Sequence, residues 1–268
     1  MMQEPWIAAE LLHVFERVPS DASGALVREQ SDGTVAGALL VEHGRVCWAM
    51  SRRYPRRLTD LLVDESSALS PAQLDEVFAL CRRERKPLGE TLINRGMVSL
   101  PVLHRALLRH TCEALACLVR DEAAPWSWVA HSGYGYHPML TFSPAEVLAG
   151  VRAVTDPTLA ARALTRLTEV VSDGVHGFAI ERGSGAKLPL AQIGCDRIEL
   201  TALTDLAAQA DEVMAVAATA ELDAAITELD GFACAAWLED NLLFVLLCED
   251  ELAFNRLVAQ VAAMTTKT

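Results

Sequence analysis

Two short runs, "SRRYPRR" and "CRRERK", carry the residues whose type and spacing could do recognition chemistry: Arg52, Arg53, Arg56 and Arg57 in the first, Arg82 and Arg83 in the second. Guanidinium groups clamp phosphates and carboxylates through paired hydrogen bonds. The runs therefore read either as a docking face for an anion or acidic partner, or as solvated helix ends. Bond-making chemistry is harder to find. The chain contains no GxSxG, no phosphate-cradling GxxxxGK[ST] loop and no HExxH, the spacings that would supply a nucleophile, a nucleotide site or a zinc pair. His131 and His137 flank a Gly-Tyr loop with no carboxylate or thiol beside them, a poor metal set. Gly183-Ser184-Gly185 reads as turn chemistry, because no helix follows it. The expectation is a non-enzyme that uses no cofactor and no metal.

Bulk properties narrow the class. A chain of 268 residues that is 51% hydrophobic has the length for two domains. Its formal charge of −13 is uneven: residues 1–151 hold 15 basic and 18 acidic residues, net −3, and residues 152–268 hold 8 and 18, net −10. An acidic second half argues against nucleic acid as a partner. Seven cysteines show no paired ligand spacing, and are expected to be small core residues in a reducing cytoplasm. "MMQEPW" has no basic and apolar leader pattern, and the most apolar run, "NLLFVLLCED", is far too short for a membrane helix. A cytoplasmic protein without membrane insertion is expected.

The elements that must position these side chains are well punctuated. "PWIAAELLHVFER" places Trp6, Leu11, Val14 and Phe15 near one helical face. "GALVRE", "AGALLVE" and "RVCWAMS" are separated by glycine turns and predict a three-stranded meander over residues 24–51. Ser70-Pro71-Ala72-Gln73 and Ser143-Pro144-Ala145-Glu146 each offer a capping Ser, a Pro at the first helical position and a reciprocal polar residue. Asp156-Pro157 is the short form, and Ser99 precedes Leu100-Pro101 in the same spirit.

Within "KPLGETLINRGMVSLPVLHRALLRH", Gly96 is expected to close a short helix over 88–94 in the left-handed region. This segment echoes the one before it. Leu58, Leu62 and Val63 lie over Leu88, Leu92 and Ile93; after a one-residue slip, Ser70, Leu74 and Phe78 meet Ser99, Leu103 and Leu107. Two helix–turn–helix units packing their leucine faces together are predicted. The alternation of Trp126, Trp128 and Ala130 then predicts a strand returning to the meander.

The second half reads as helix 157–172, strands "GFAIE" and "KLPLAQI", helix 198–216, a short strand near 223–228, strands "FACAAWLE" and "NLLFVLLCE", and a closing helix. This is an antiparallel five-stranded sheet with helices rather than a nucleotide-binding βαβ fold. In the long helix, Leu200, Leu203, Ala207, Ala210 and Met214 form a stripe. It is either core against the sheet or, as small residues would permit, a dimer seam; we expect the seam. The fold class is α+β throughout, with domains at 1–150 and 157–268 and a helical insertion at about 55–120.

The order of amphipathic helix, meander ending "VEHGRVCWAM", inserted "LGETLINRGMVS" and late W-x-W strand resembles a PATAN-type domain of bacterial signalling proteins over residues 5–150. The insertion also resembles half of the N-terminal domain of type II secretion and type IV pilus ATPases, some of which bind cyclic di-GMP through two tandem copies. Here Pro87 replaces that family's leading Arg, His110 its closing Gln, and the upstream copy lacks both glycines. Residues 157–265 resemble the Roadblock family, with its profilin- and longin-like architecture, in element order. That resemblance implies a homodimer or heterodimer. Its implied partners are a Ras-like small GTPase, a response regulator or another Roadblock-like protein. A non-enzymatic bacterial signalling adaptor is the reading it favours. The alternative is a nucleotide sensor using Arg57, Arg82 or Arg83.

Overall fold

The computed structural model describes residues 5–18, 21–66, 69–120, 125–133, 135–183, 187–195, 197–248 and 250–265. In chain order they form α1 (Pro5–Glu16), β1 (Gly24–Glu29), β2 (Val35–Glu42), β3 (Arg45–Ser51), α2 (Leu58–Glu65), α3 (Pro71–Glu84), α4 (Leu88–Asn94), α5 (Leu100–Val119) and β4 (Ser127–Ala130). The second half continues with α6 (Pro144–Thr155), α7 (Pro157–Val170), β5 (Val175–Glu181), β6 (Pro189–Ile193), α8 (Leu200–Thr219), β7 (Ala224–Leu229), β8 (Phe232–Glu239), β9 (Leu242–Cys248) and α9 (Glu251–Thr265). The fold is mixed α+β with two antiparallel sheets, ordered β3-β2-β1-β4 and β6-β5-β9-β8-β7.

Two compact units emerge: residues 17–142, and α1 together with residues 143–268. The division lies at 142/143, earlier than the expected 150, and α1 belongs with the second unit. Helix α6 explains the shift. It packs on β6 and α7, buries Ala145, Val147, Leu148 and Val151, and sends Arg152 to the carboxylate of Glu181 on β5 at 2.8 Å. Both ends of that pair are buried, so removing either would strand a charge. In α1, Leu11, Val14 and Phe15 are buried as their spacing implies; the side chain of Trp6 lies outside the described residues.

In the first unit the meander forms with the expected strands, and β4 pairs antiparallel with β1, Leu26 opposite Trp128. Arg28 on β1 donates to the carbonyls of Leu118 and Val119 at 2.9 and 3.2 Å, satisfying the C-terminal end of α5 where a cation is favoured. The capping devices operate as their spelling implies. Ser70 Oγ accepts from the Gln73 amide at 3.3 Å while Gln73 accepts from the Ser70 amide at 3.0 Å. Ser143 and Glu146 repeat the exchange at 3.1 and 2.8 Å, and Asp156 accepts from the Leu159 amide. Ser99 takes the cap position of α5 without a side-chain bond. Gly96 has φ +65° after α4, with its amide on the Ile93 carbonyl at 2.8 Å. Gly89 has another reason: a Cβ there would lie 3.0 Å from Leu103 Cδ2, so glycine lets α4 approach α5.

In the second unit, α7 and α9 cover one sheet face through Ala163, Leu167 and Leu257, and α8 covers the other through Leu203, Leu206 and Met214. Both faces of β9 are consequently buried, which is why its sequence is a continuous apolar run rather than an alternation.

Candidate functional site

The two helical units of residues 58–119 share one core. Leu61, Leu62, Leu74, Leu92, Leu103 and Ala106 meet at its centre, with Leu69 and Val98 just ahead of the two capping serines. Pairing is crosswise, α2 packing on α5 and α3 on α4. The internal echo is thus a spatial one, with one exception: Phe78 is 45% exposed, while its counterpart Leu107 is partly buried against the core.

One arginine of the first basic run is drawn into this arrangement. Arg56 is pulled back onto Asp64 of α2 by an ion pair and hydrogen bond. It also reaches Glu113 of α5 at 4.0 Å. Arg109 donates from Nε to Glu113 at 2.8 Å and lies 3.5 Å from Glu65 and 3.9 Å from Asp64. The Tyr54 hydroxyl donates to Glu113 as well. Burial works against ionisation of Glu113, but these donors outweigh it and hold the carboxyl below its ordinary value. Next to it, His110 stacks on Trp48 with ring centroids 4.0 Å apart and meets Tyr54 edge-on at 5.1 Å. Its burial keeps the imidazole neutral to lower pH than usual. Arg56 is therefore structural, whereas Arg52, Arg53 and Arg57 are exposed.

Arg82 and Arg83 are exposed at the end of α3, and Arg85 terminates that helix in the left-handed region, φ 54°. Beside them a cavity of about 350 Å³ opens between α3 and α4, with apolar Leu80, Cys81 and Pro87 and charged Glu84, Lys86, Glu90 and Arg95 in its walls. No spacing in the sequence announces it.

The α8 stripe is corrected by the structure. Leu203, Ala207, Ala210 and Met214 are all 0% exposed in the isolated chain, and Leu200 packs against the same core. They face their own sheet, and the small side chains let α8 approach the strands closely instead of admitting a second helix. Ala207→Glu would bury an unpaired carboxylate. Exposed aliphatics lie further on, Val216 at 70%, Leu222 at 56% and Ile226 at 39%, at the end of α8 and along β7; Leu164 on α7 is exposed as well. Strand β7 ends its sheet. β6, at the other edge, is flanked by α6 and α7.

The Gly-Tyr loop is organised by a residue with no motif to advertise it. Buried Glu42 accepts from the amides of Gly135 and Tyr136, each at 2.9 Å, and a Cβ on Gly133 would strike its Oε1. Burial opposes the charge, yet the two amides more than compensate and lower the carboxyl.

Among the described residues no group of three or more His, Cys, Asp or Glu side chains could hold a metal ion. Six of the seven cysteines are buried and Cys117 is partly so; burial pushes the Cys47 and Cys234 thiols up to about 12, too high for nucleophilic use. No described helix is long and apolar enough to cross a membrane. Scans against models of known families, curated proteins and solved structures found no match for this chain.

Proposed function

We propose that this chain is a non-enzymatic signalling adaptor. Residues 17–142 dock a protein partner. Residues 143–268 act as a Roadblock-like module that pairs with a second copy, or with another Roadblock-like chain, and engages a Ras-like GTPase. The observation that carries this reading is the asymmetry of the five-stranded sheet. One edge strand, β6, is flanked by α6 and α7. The other, β7, packs on α8 and α9 as well, though less extensively, and ends the sheet beside exposed Val216, Leu222 and Ile226. An open strand edge with apolar neighbours is a template for pairing. A two-fold pair through β7 would bring both sets of aliphatics together.

Sedimentation tests the assembly. The wild-type chain should run as a dimer at tens of micromolar, and Leu222→Glu with Ile226→Lys should run as a folded monomer. A monomeric wild type sinks the homodimer. Affinity capture from the source organism tests the adaptor role: recovery of no small GTPase, response regulator or Roadblock-like chain would overturn it.

A further inference from the structure

The crosswise duplication of the helical bundle produces two related grooves, one between α2 and α5, the other between α3 and α4. In the echo of the sequence, Arg109 corresponds to Leu80, Glu113 to Glu84, Asp64 to Asn94 and Glu65 to Arg95. The α2–α5 groove is spanned by the guanidinium of Arg109, held by Glu113 with Asp64 and Glu65 nearby. In the α3–α4 groove, the short apolar Leu80 stands in its place, and a cavity of about 350 Å³ remains. The wall has also lost acid: Asn94 and Arg95 occupy the positions of Asp64 and Glu65, so that Glu84 and Glu90 are matched there by Lys86 and Arg95, with Arg82, Arg83 and Arg85 exposed around it. Arg95 is exposed and makes no ion pair among the described residues. Glu84 is already neutralised by Lys86 at 2.9 Å and Arg83 at 3.7 Å. Residues 80–95 hold Arg82, Arg83, Arg85, Lys86 and Arg95 against Glu84 and Glu90, net +3, within a chain of net −13.

These differences specify the occupant. A cationic side chain, the solution used in the sister groove, would here find Glu90 as its one unengaged carboxylate among the described residues, between Arg95 and Lys86 and beside Arg82, Arg83 and Arg85. A bare inorganic anion would satisfy Arg95 and leave the Leu80, Cys81 and Pro87 surface wet. An apolar group alone would leave the cationic rim unused. We propose that the α3–α4 groove docks an acidic segment of a partner protein, seating one bulky apolar side chain on Leu80, Cys81 and Pro87 and a carboxylate on Arg95. The volume suits this: cavities of about 300 Å³ and above hold substantial ligands. One apolar anchor ringed by charge is a common way for a helix or peptide to bind a groove. The inference rests on the adaptor reading, supplying the chemistry of its docking half.

The test is fluorescence anisotropy with a short labelled peptide of Glu and Leu at helical spacing, against the full chain. Wild type should bind it. Arg95→Glu, an exposed change that restores the sister groove's acid, should weaken binding by about tenfold or more, as expected for loss of a charge-assisted contact. Leu80→Arg, which spans the groove as Arg109 does its counterpart, should abolish it. A peptide with Leu replaced by Ser should lose most of its affinity. The proposal is overturned if wild type does not bind, if Leu80→Arg binds as well as wild type, or if the Ser peptide binds as well as the Leu peptide. Circular dichroism of both variants checks folding, and Arg95→Glu alone decides if Leu80→Arg is misfolded. Affinity capture separates this failure from that of the adaptor: partners recovered equally by wild type and Leu80→Arg leave the adaptor standing and remove the groove.

Discussion

The two grooves of the helical bundle are built on one apolar skeleton and differ in what their polar side chains do. Leu62 and Leu92, Leu69 and Val98, Leu74 and Leu103 are buried at equivalent places. Around the first set, Arg56, Arg109, Tyr54, Asp64, Glu65 and Glu113 are spent on one another. Around the second, Arg95 and Glu90 face solvent and a cavity stays open. A duplicated core tolerates this divergence because stability comes chiefly from buried apolar area. The polar rim is free to become either a lock or a docking surface.

The comparison is broken most forcefully at its shared core. Leu62→Ala and Leu92→Ala should each cost about 2–5 kcal/mol in urea unfolding, the range for emptying a packed leucine site; if one is nearly neutral, the two units are not equivalent. Next comes the α2–α5 groove. Glu113→Gln should cost about 1–3 kcal/mol, because Tyr54, Arg109 and Arg56 lose a charged acceptor, whereas Glu84→Gln at the equivalent place should leave the unfolding midpoint unchanged. The pH dependence has a definite sign. Glu113 titrates lower when folded than its ordinary 4.5, so its stabilisation is present above that value and lost as pH falls through the folded one. Glu113→Gln should flatten that acid limb. A smaller effect is expected from Gly96→Ala: φ +65° with open space around it implies backbone strain alone, about 1 kcal/mol. The smallest is Arg105→Ala, an exposed partner of Glu65 at 3.4 Å, which should stay within about 0.5 kcal/mol.

Much of this was legible before folding. Ser70-Gln73, Ser143-Glu146 and Asp156 are local devices whose partners sit a turn away, so spelling and geometry coincide. The α8 stripe was not. Its spacing shows that Leu203, Ala207, Ala210 and Met214 share a face, but burial on that face depends on a sheet assembled from strands on both sides of the helix in sequence. The attachment of α6 to the second unit depends on Arg152 meeting Glu181, far along the chain. The neutralisation of Arg56 is partly local, through Asp64 eight residues on, and partly not, since Glu113 at 4.0 Å is brought to it by the packing of α2 on α5. The cavity between α3 and α4 had no local signature at all.

The unequal edges of the five-stranded sheet also set a limit on growth. A sheet open at both ends can recruit copies without stopping, the geometry of a fibre. With β6 flanked by α6 and α7, and β7 at the other end of the sheet, a head-to-head meeting of two chains through β7 would leave this sheet only its flanked β6 edges. Association through this sheet would terminate after a single event, so the stoichiometry is written into the placement of two helices far from the seam itself.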